Sequence, residues 1–274
     1  MLWKPKEITV EDDIYHVGES LGKGKVGKAF IAENSNGQQV TVKTITQDWA
    51  VQSIEHAMEI RANHPGLPEE NLVKFLPGGA IKRGGHVITT YAPGNSLDKL
   101  DLDPKWSAER VNRITSLVRN TLHSLGFLES AGIVHRDIKP ENLVLSSDAS
   151  KVTIIDPDLL VTDHGTDVAD FGGVGSLPIM APEMYNRYSC NATTKADMFA
   201  LGVTTIRLLY GFRVMSAYRR KYPLESPGVL RQRSRKFPES VSTVVSKLVE
   251  FIIESTNFHS QDRPNVETAL RMLS

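Results

Sequence analysis

Three clusters of residues have the types and spacing to do chemistry. Gly22, Gly24 and Gly27, in Leu21-Gly22-Lys23-Gly24-Lys25-Val26-Gly27-Lys28-Ala29, form a G-x-G-x-x-G run. Residues without side chains let backbone N–H groups approach phosphates closely. A dinucleotide cofactor would need a helix directly after the glycines. Lys28–Glu33 reads as a strand instead, so that reading fails, and on the loop alone a tight hairpin stays open. The second cluster is Val40-Thr41-Val42-Lys43. By itself Lys43 is a solvated strand end; behind a glycine loop it becomes a fixed cation for nucleotide phosphates. The third is His135-Arg136-Asp137-Ile138-Lys139-Pro140-Glu141-Asn142, which puts carboxylates, cations and an amide into one short run.

The elements that must position these residues change character along the chain. Ile14–Leu21 and Lys28–Ala32 read as strands around the glycine turn. Gln39–Ile45 and Val87–Tyr91 are β-branched runs. Between them Trp49–Ala62 spaces Val51, Ile54, Met58 and Ala62 as a helix, which Pro65 and Pro68 end. After Gly94 helices dominate: Ser107–Ser130 with Val111, Ile114, Leu117, Val118, Leu122 and Leu125 on one face, nearly apolar Met198–Tyr210, Ser242–Ser255 and Val266–Leu273. Pro93-Gly94 marks a hinge.

Composition excludes several classes. Lys+Arg and Asp+Glu are both 32 among 274 residues, so the chain is not built around nucleic acid, and it carries no dedicated nucleic-acid motif. With 40% hydrophobic and 23% charged residues it is not disordered. The single cysteine, Cys190, excludes an internal disulfide and a cysteine-based structural zinc site. No apolar run is long enough to span a membrane. Met1–Glu7 lacks the apolar core of a signal peptide. The expected compartment is the cytosol, of this cell or of another into which the protein is delivered. One local excess stands out: Arg213, Arg219, Arg220, Lys221, Arg231, Arg233, Arg235 and Lys236, with Glu225 the one acid between them. It reads as a solvated loop or as a docking surface for an acidic partner, a lipid or nucleic acid.

The run from His135 to Asn142 resembles the catalytic loop of eukaryotic-type protein kinases, H-R-D-L-x-x-x-N, with Ile138 for leucine. The resemblance extends from about Ile14 to Leu273. Gly175–Glu183 is similar to the end of that family's activation segment, with Ala181-Pro182-Glu183 intact. Asp197–Gly202 looks like the buried helix that anchors the catalytic loop, and Arg263 like the arginine that pairs with Glu183. The resemblance implies one α+β domain over 1–274 with a bilobal kinase-like fold. A small antiparallel β-sheet lobe with one helix (about 12–90) would join a mainly helical lobe (about 96–274) through a hinge (about 90–95). It implies Mg²⁺- and ATP-dependent transfer to Ser/Thr hydroxyls of an unidentified protein substrate. Such chemistry rests on positioning and charge neutralisation.

By that resemblance Gly22, Gly24 and Gly27 cover the ATP phosphates and Lys43 holds the α- and β-phosphates. Leu21, Ala29, Thr41 and Val144 belong to the nucleotide pocket, Thr89 guards its back, and backbone groups of Thr90 and Ala92 bond the adenine. Asp137 takes or orients the hydroxyl proton, Lys139 stabilises the γ-phosphate, and Asn142 and Asp156 bind Mg²⁺. A helix glutamate orients Lys43; Glu55 and Glu59 are available, and the distance to Asn71-Leu72-Val73 favours Glu59. Ser176 stands where Ser/Thr kinases keep a hydroxyl near the catalytic aspartate.

Asp170-Phe171-Gly172 spells the family's metal-binding motif but lies only 13 residues before Glu183. Asp156 lies 14 after Asn142 and 27 before Glu183, and follows the strand-like Lys151–Ile155. The metal aspartate is therefore assigned to Asp156, in an atypical Asp156-Pro157-Asp158. Pro157 fixes φ and removes an N–H, and Asp158 replaces a glycine, so in/out switching of this loop is not expected. Asn63, one turn after Glu59, stands where the family is apolar. Arg136 is expected to meet a phosphate on Thr162, Thr166 or Ser176, or a carboxylate of Asp158, Asp163, Asp167 or Asp170 in its place. The atypical motif keeps a pseudokinase, binding nucleotide or acting as a scaffold, as the alternative. A small-molecule kinase is the second, although such relatives generally lack the Ala-Pro-Glu and Lys139 patterns.

Overall fold

Alternation along the first strands decides which side chains reach the cleft. In the computed structural model, which describes residues 7–10, 13–78, 81–102, 107–163, 179–185, 192–211, 227–235 and 237–274, five strands form an antiparallel sheet in sequence order. They are β1 (Glu7–Val10), β2 (Asp13–Lys23), β3 (Lys28–Glu33), β4 (Gln39–Thr44) and β5 (His86–Thr90). With a side-chain period of two, Tyr15, Val17, Phe30, Val40, Val42 and Ile88 pack into one small core. The register pairs Ala29 with Lys43, Thr41 with Thr89, and Lys43 with Val87. Those residues occupy the opposite face of the sheet and line the cleft.

Helix α1 (Asp48–Asn63) crosses between β4 and β5. Its buried residues are Ala50, Ser53, Ile54, Ala57, Ile60 and Arg61. The expected stripe of Val51, Ile54, Met58 and Ala62 is thus turned: only Ile54 of the four is buried. Arg61 is buried because its guanidinium caps the helix end, donating to the carbonyls of His64 (2.9 Å) and Leu67 (2.9 Å).

After β5, two residues of strand, β6 (Asn95–Ser96), start a second, three-stranded sheet with β8 (Leu143–Leu145) and β9 (Val152–Ile154). A further pair joins β7 (Ile133–Val134) to β10 (Val161–Thr162). These strands lie on α2 (Ala108–Ser130), whose face from Val111 to Leu128 is buried as the periodicity predicts. The Ser124 hydroxyl, fully buried in α2, donates to the Val152 carbonyl and fixes β9 to the helix. Helix α3 (Thr194–Tyr210) is buried over almost its whole length. Three more helices, α4 (Pro227–Ser234), α5 (Ser242–Ser255) and α6 (Val266–Met272), complete the described helical lobe. The bilobal arrangement of an antiparallel sheet and a helical lobe agrees with expectation. The sheet begins earlier than the span assigned to the first lobe, because β1 pairs Glu7 with His16. Among the described residues no helix is long and apolar enough to cross a membrane.

Candidate active site

The glycine turn between β2 and β3 is held from below. Gly24 N–H donates to the Gly27 carbonyl (2.8 Å), and Thr46 donates to the Val26 carbonyl through its N–H (2.8 Å) and its hydroxyl (2.6 Å). Two of the three glycines are required by the protein itself, for different reasons. Gly22 has φ +145°, which side chains rarely adopt. A Cβ on Gly27 would stand 1.6 Å from the Thr44 carbonyl oxygen, whereas one on Gly24 would meet nothing nearer than 3.9 Å. Among the described residues nothing demands glycine at position 24. Gly27→Ala is expected to cost about 1–3 kcal/mol through overpacking. Gly24→Ala should stay within about 0.5 kcal/mol of the native chain yet weaken nucleotide binding. Thermal melts paired with calorimetric titration of Mg-ATP check both.

Beneath the loop lies a cavity of about 870 Å³. Leu21, Gly22, Gly24, Gly27, Ala29, Thr41, Lys43, Thr89, Thr90, Ala92, Lys139, Asn142, Val144 and Asp156 all line it. At the strand that joins the lobes, Thr90 N–H is already taken by the Lys74 carbonyl (2.8 Å). The Ala92 N–H has no partner among the described residues.

The catalytic loop follows β7 and hangs from α3. Arg136 has φ +68°, a left-handed turn that aims two successive N–H groups at one carboxylate. Asp197 accepts from His135 N (2.6 Å) and Arg136 N (2.9 Å). Burial pushes the Asp197 carboxyl up to about 7, and the two N–H donors oppose that shift. Arg136 Nε donates to the Leu159 carbonyl (2.6 Å); the Thr166 and Ser176 hydroxyls and Asp167 lie outside the described residues. Asp137 Oδ2 accepts from Lys139 Nζ and from Asn142 Nδ2 (2.9 Å), and Asn142 also donates to the Asp137 carbonyl (2.9 Å). The Asn142 amide nitrogen is therefore committed, and its Oδ1 has no partner among the described residues. A neutral amide oxygen and the Asp156 carboxylate suit a hard divalent cation.

His135 is fully buried, and both ring nitrogens are used. Nε2–H faces the Ile155 carbonyl (3.1 Å), while Nδ1 accepts the Asp137 N–H (3.3 Å). Burial pushes its pKa down to about 4, and protonation would remove the acceptor for Asp137. The unfolded chain binds this proton near 6.5 and the folded chain only near 4. The stability that His135 contributes is complete above about 6.5 and is lost as pH falls toward 4. Unfolding free energy is expected to drop by at most about 1.4 kcal/mol per pH unit in that window from this group. Denaturant titrations of the native chain and His135→Gln at pH 7 and 5 check it: the variant should lose less stability on acidification.

The Lys43 ammonium meets Asp156 Oδ1 and Asp158 Oδ2, the latter at 2.7 Å. Burial alone would lower the Lys43 pKa, but the two carboxylates outweigh it and hold the amine above its usual value. Burial opposes ionisation of Asp156, yet Lys43 keeps it below the usual carboxylate range. Asp158 is pushed up to about 6 by burial and by its neighbour Asp156, against the pull of Lys43. Asp156 adopts a left-handed conformation, φ +65°. The helix-glutamate expectation is corrected: Glu59 and Glu55 are both exposed, and the Lys43 contacts go to the Asp156-Pro157-Asp158 loop. The physical reason is the turned face of α1, which buries Ser53 and Ala57 in place of a glutamate. Asn63, being exposed, fills no apolar position. The contacts of Asp158 with Lys43 and of Ser53 with the loop were not foreseen from the sequence, where the small residues Ala50, Ser53 and Ala57 at helical spacing are the available signal. Asp170-Phe171-Gly172 and Ser176 lie outside the described residues.

Arg231 donates to Glu250 through Nε and Nη2, each at 2.8 Å, and Arg213, Arg219, Arg220, Lys221 and Lys236 fall outside the described residues. Glu183 and Arg263 form the ion pair expected of them, at 2.6 and 2.8 Å.

A family model described as protein kinase domain matches residues 15–273. The chain is 27% identical over 270 residues to MAP3K epsilon protein kinase 1 of Brassica napus, covering 94% of this chain and 20% of that one. It is 28% identical over 256 residues to an Aurora kinase of Encephalitozoon cuniculi, covering 88% and 87%. To CBL-interacting serine/threonine-protein kinase 3 of Arabidopsis thaliana it is 29% identical over 214 residues, covering 72% and 45%. The chain thus spans about a fifth of the length of the Brassica relative. Because the matched span takes in the glycine loop, Lys43, the catalytic loop and the Glu183–Arg263 pair, this chain belongs to the protein kinase domain family.

Proposed function

We propose that this chain is a Mg²⁺- and ATP-dependent protein kinase that phosphorylates Ser/Thr hydroxyls. The observation that carries this reading is one cavity, roofed by the glycine turn and lined by Lys43, Lys139, Asn142 and Asp156, with Asp137 bonded to two of those side chains. Asn142 and Asp156 would hold the metal, which when bound neutralises charge on the phosphates. Ala92 N–H offers a donor to the adenine. Since the Thr90 N–H is taken, the contribution of Thr90 comes through its carbonyl. Lys43 and Lys139 supply fixed positive charge on either side of the transferred group. Asp137 accepts the acceptor hydroxyl's proton as the new O–P bond forms and the bond to the ADP oxygen breaks. The Thr89 side chain is small enough to leave the back of the pocket accessible.

The acceptor class rests on Lys139, two residues after Asp137, and on the kinship with the Arabidopsis serine/threonine-protein kinase. The basic stretch 213–236 is the proposed face for an acidic partner, and cytosol is the proposed compartment. Incubation with radiolabelled ATP, Mg²⁺ and a generic basic protein, beside Asp137→Ala, tests the reading. Label on serine or threonine from the native chain alone supports it. No transfer, with Mg-ATP still raising the melting temperature, overturns it in favour of the pseudokinase, a reading that the engagement of Lys43 by two aspartates also suits.

A further inference from the structure

Asp158 is given no role toward phosphate or metal above, yet its carboxylate is among the most enclosed charges of the described residues. Its side chain is 3% exposed and lies 2.7 Å from Lys43 Nζ. Its backbone carbonyl accepts a hydrogen bond from the Ser53 hydroxyl at 2.7 Å, across 105 residues of sequence. One residue therefore fastens the loop to Lys43 with its side chain and to α1 with its backbone. The face of α1 turned to this loop carries Ser53 and fully buried Ala57, one helical turn apart. At about 100° per residue, Glu55 lies roughly 180° and Glu59 roughly 140° from the centre of that face. Bringing either to Lys43 would mean rolling the helix and exposing Ile54, Ala57 and Ile60, which are at most 5% exposed.

We propose that Asp158 is the positioning residue for Lys43, locked by Ser53, and that it replaces a helix carboxylate in this role. Lys43 and the metal ligand Asp156 then move as a single unit with the Asp156–Asp158 loop. The placement of the cation is set by that loop, and α1 serves as a fixed wall. A swing of α1 that carries a glutamate in and out has no purchase on Lys43 in this chain. The inference deepens the phosphotransfer reading and rests on it for its catalytic consequence.

The test uses the full chain and three single variants, Asp158→Asn, Glu59→Gln and Ser53→Ala. Two readouts are taken: kcat and KM for ATP in the transfer assay, and the rate at which Lys43 is modified by a small amine-reactive reagent without nucleotide, followed by mass spectrometry. Asp158→Asn is expected to lower kcat at least tenfold with a smaller change in KM, and to speed Lys43 modification several-fold. Glu59→Gln should change neither. Ser53→Ala, which keeps the carboxylate and frees the loop, should also speed modification; it decides the matter if Asp158→Asn fails to fold. Unchanged modification in Asp158→Asn, or an equal effect of Glu59→Gln, overturns the proposal. If the native chain transfers no phosphate, faster modification confined to Asp158→Asn and Ser53→Ala still supports the Lys43 assignment, while the transferase reading fails.

Discussion

Asp137→Asn is expected to slow phosphotransfer by roughly 10²- to 10⁴-fold, the usual contribution of a positioned general base, while nucleotide affinity and fold persist. The backbone around Asp137 is fixed independently of its side chain, through the two N–H bonds to Asp197 and the bond from Asp137 N–H to His135 Nδ1. An asparagine keeps the shape and one acceptor oxygen for Asn142 Nδ2. It loses the charge that balances Lys139 and the basic oxygen that takes the hydroxyl proton. Because Asp137 does not line the nucleotide cavity, the loss should fall on kcat. Initial rates at saturating Mg-ATP, set beside calorimetric affinities, check this. A variant that loses ATP affinity in step with rate would mean that the loop had collapsed, and would count against the assigned role.

What could be read from sequence follows the range over which each interaction acts. The catalytic loop is a contiguous run, so its members announce one another. The choice of Asp156 over Asp170 rested on chain length between fixed points. Asp156 stands two residues after the end of β9 and reaches Lys43; Asp170 lies outside the described residues. The cleft-facing residues of β3, β4 and β5 were legible because a strand alternates with period two, and one known lysine fixes the parity of the rest. Helix α1 was misread for the opposite reason. Its large apolar residues mark one stripe, whereas the packed face is made partly of small ones, Ala50, Ser53 and Ala57. Those positions carry little hydrophobic signal and are chosen for close approach to the 156–159 loop. The contact from Lys43 to Asp158 spans 115 residues and joins a strand to a loop, and no local pattern encodes such a meeting. Strand β1 escaped notice because four residues carry too little periodicity; it is made by pairing with β2.

The second large effect lies away from the cavity, at Arg263. Its side chain is 0% exposed, and its guanidinium grips Glu183 with both terminal nitrogens. It also donates to the carbonyls of Asn257 (2.8 Å), Lys195 (2.9 Å) and Phe258 (3.3 Å), and stacks 4.8 Å from the centre of the Phe199 ring. Lys195 Nζ returns a bond to the Arg263 carbonyl (2.8 Å), so the start of α3 and the turn before α6 hold each other. Arg263→Ala would strand the Glu183 carboxylate and leave three carbonyls unsatisfied. Removing one partner of such a buried pair costs about 3–5 kcal/mol, a fall in melting temperature of roughly 6–20 °C for a domain of this size. Arg263→Lys should recover only part of that, because an ammonium cannot reproduce a planar fork that reaches a carboxylate and several carbonyls together. Glu183→Gln should cost less than Arg263→Ala, since Glu183 is 25% exposed and water can reach it. The ranking Ala worst, then Lys, then Glu183→Gln, read by thermal denaturation, separates a buried hub from a surface ion pair, for which all three would lie within about 1 kcal/mol of the native chain. The damage should also have a direction. Glu183 follows Ile179, Met180 and Ala181, which pack beside Asp137 and Ile138. Loosening that segment disturbs the ground on which an acceptor hydroxyl must sit before it disturbs the nucleotide cavity. At temperatures where Arg263→Lys remains folded, kcat/KM for the protein acceptor should therefore fall further than the affinity for Mg-ATP.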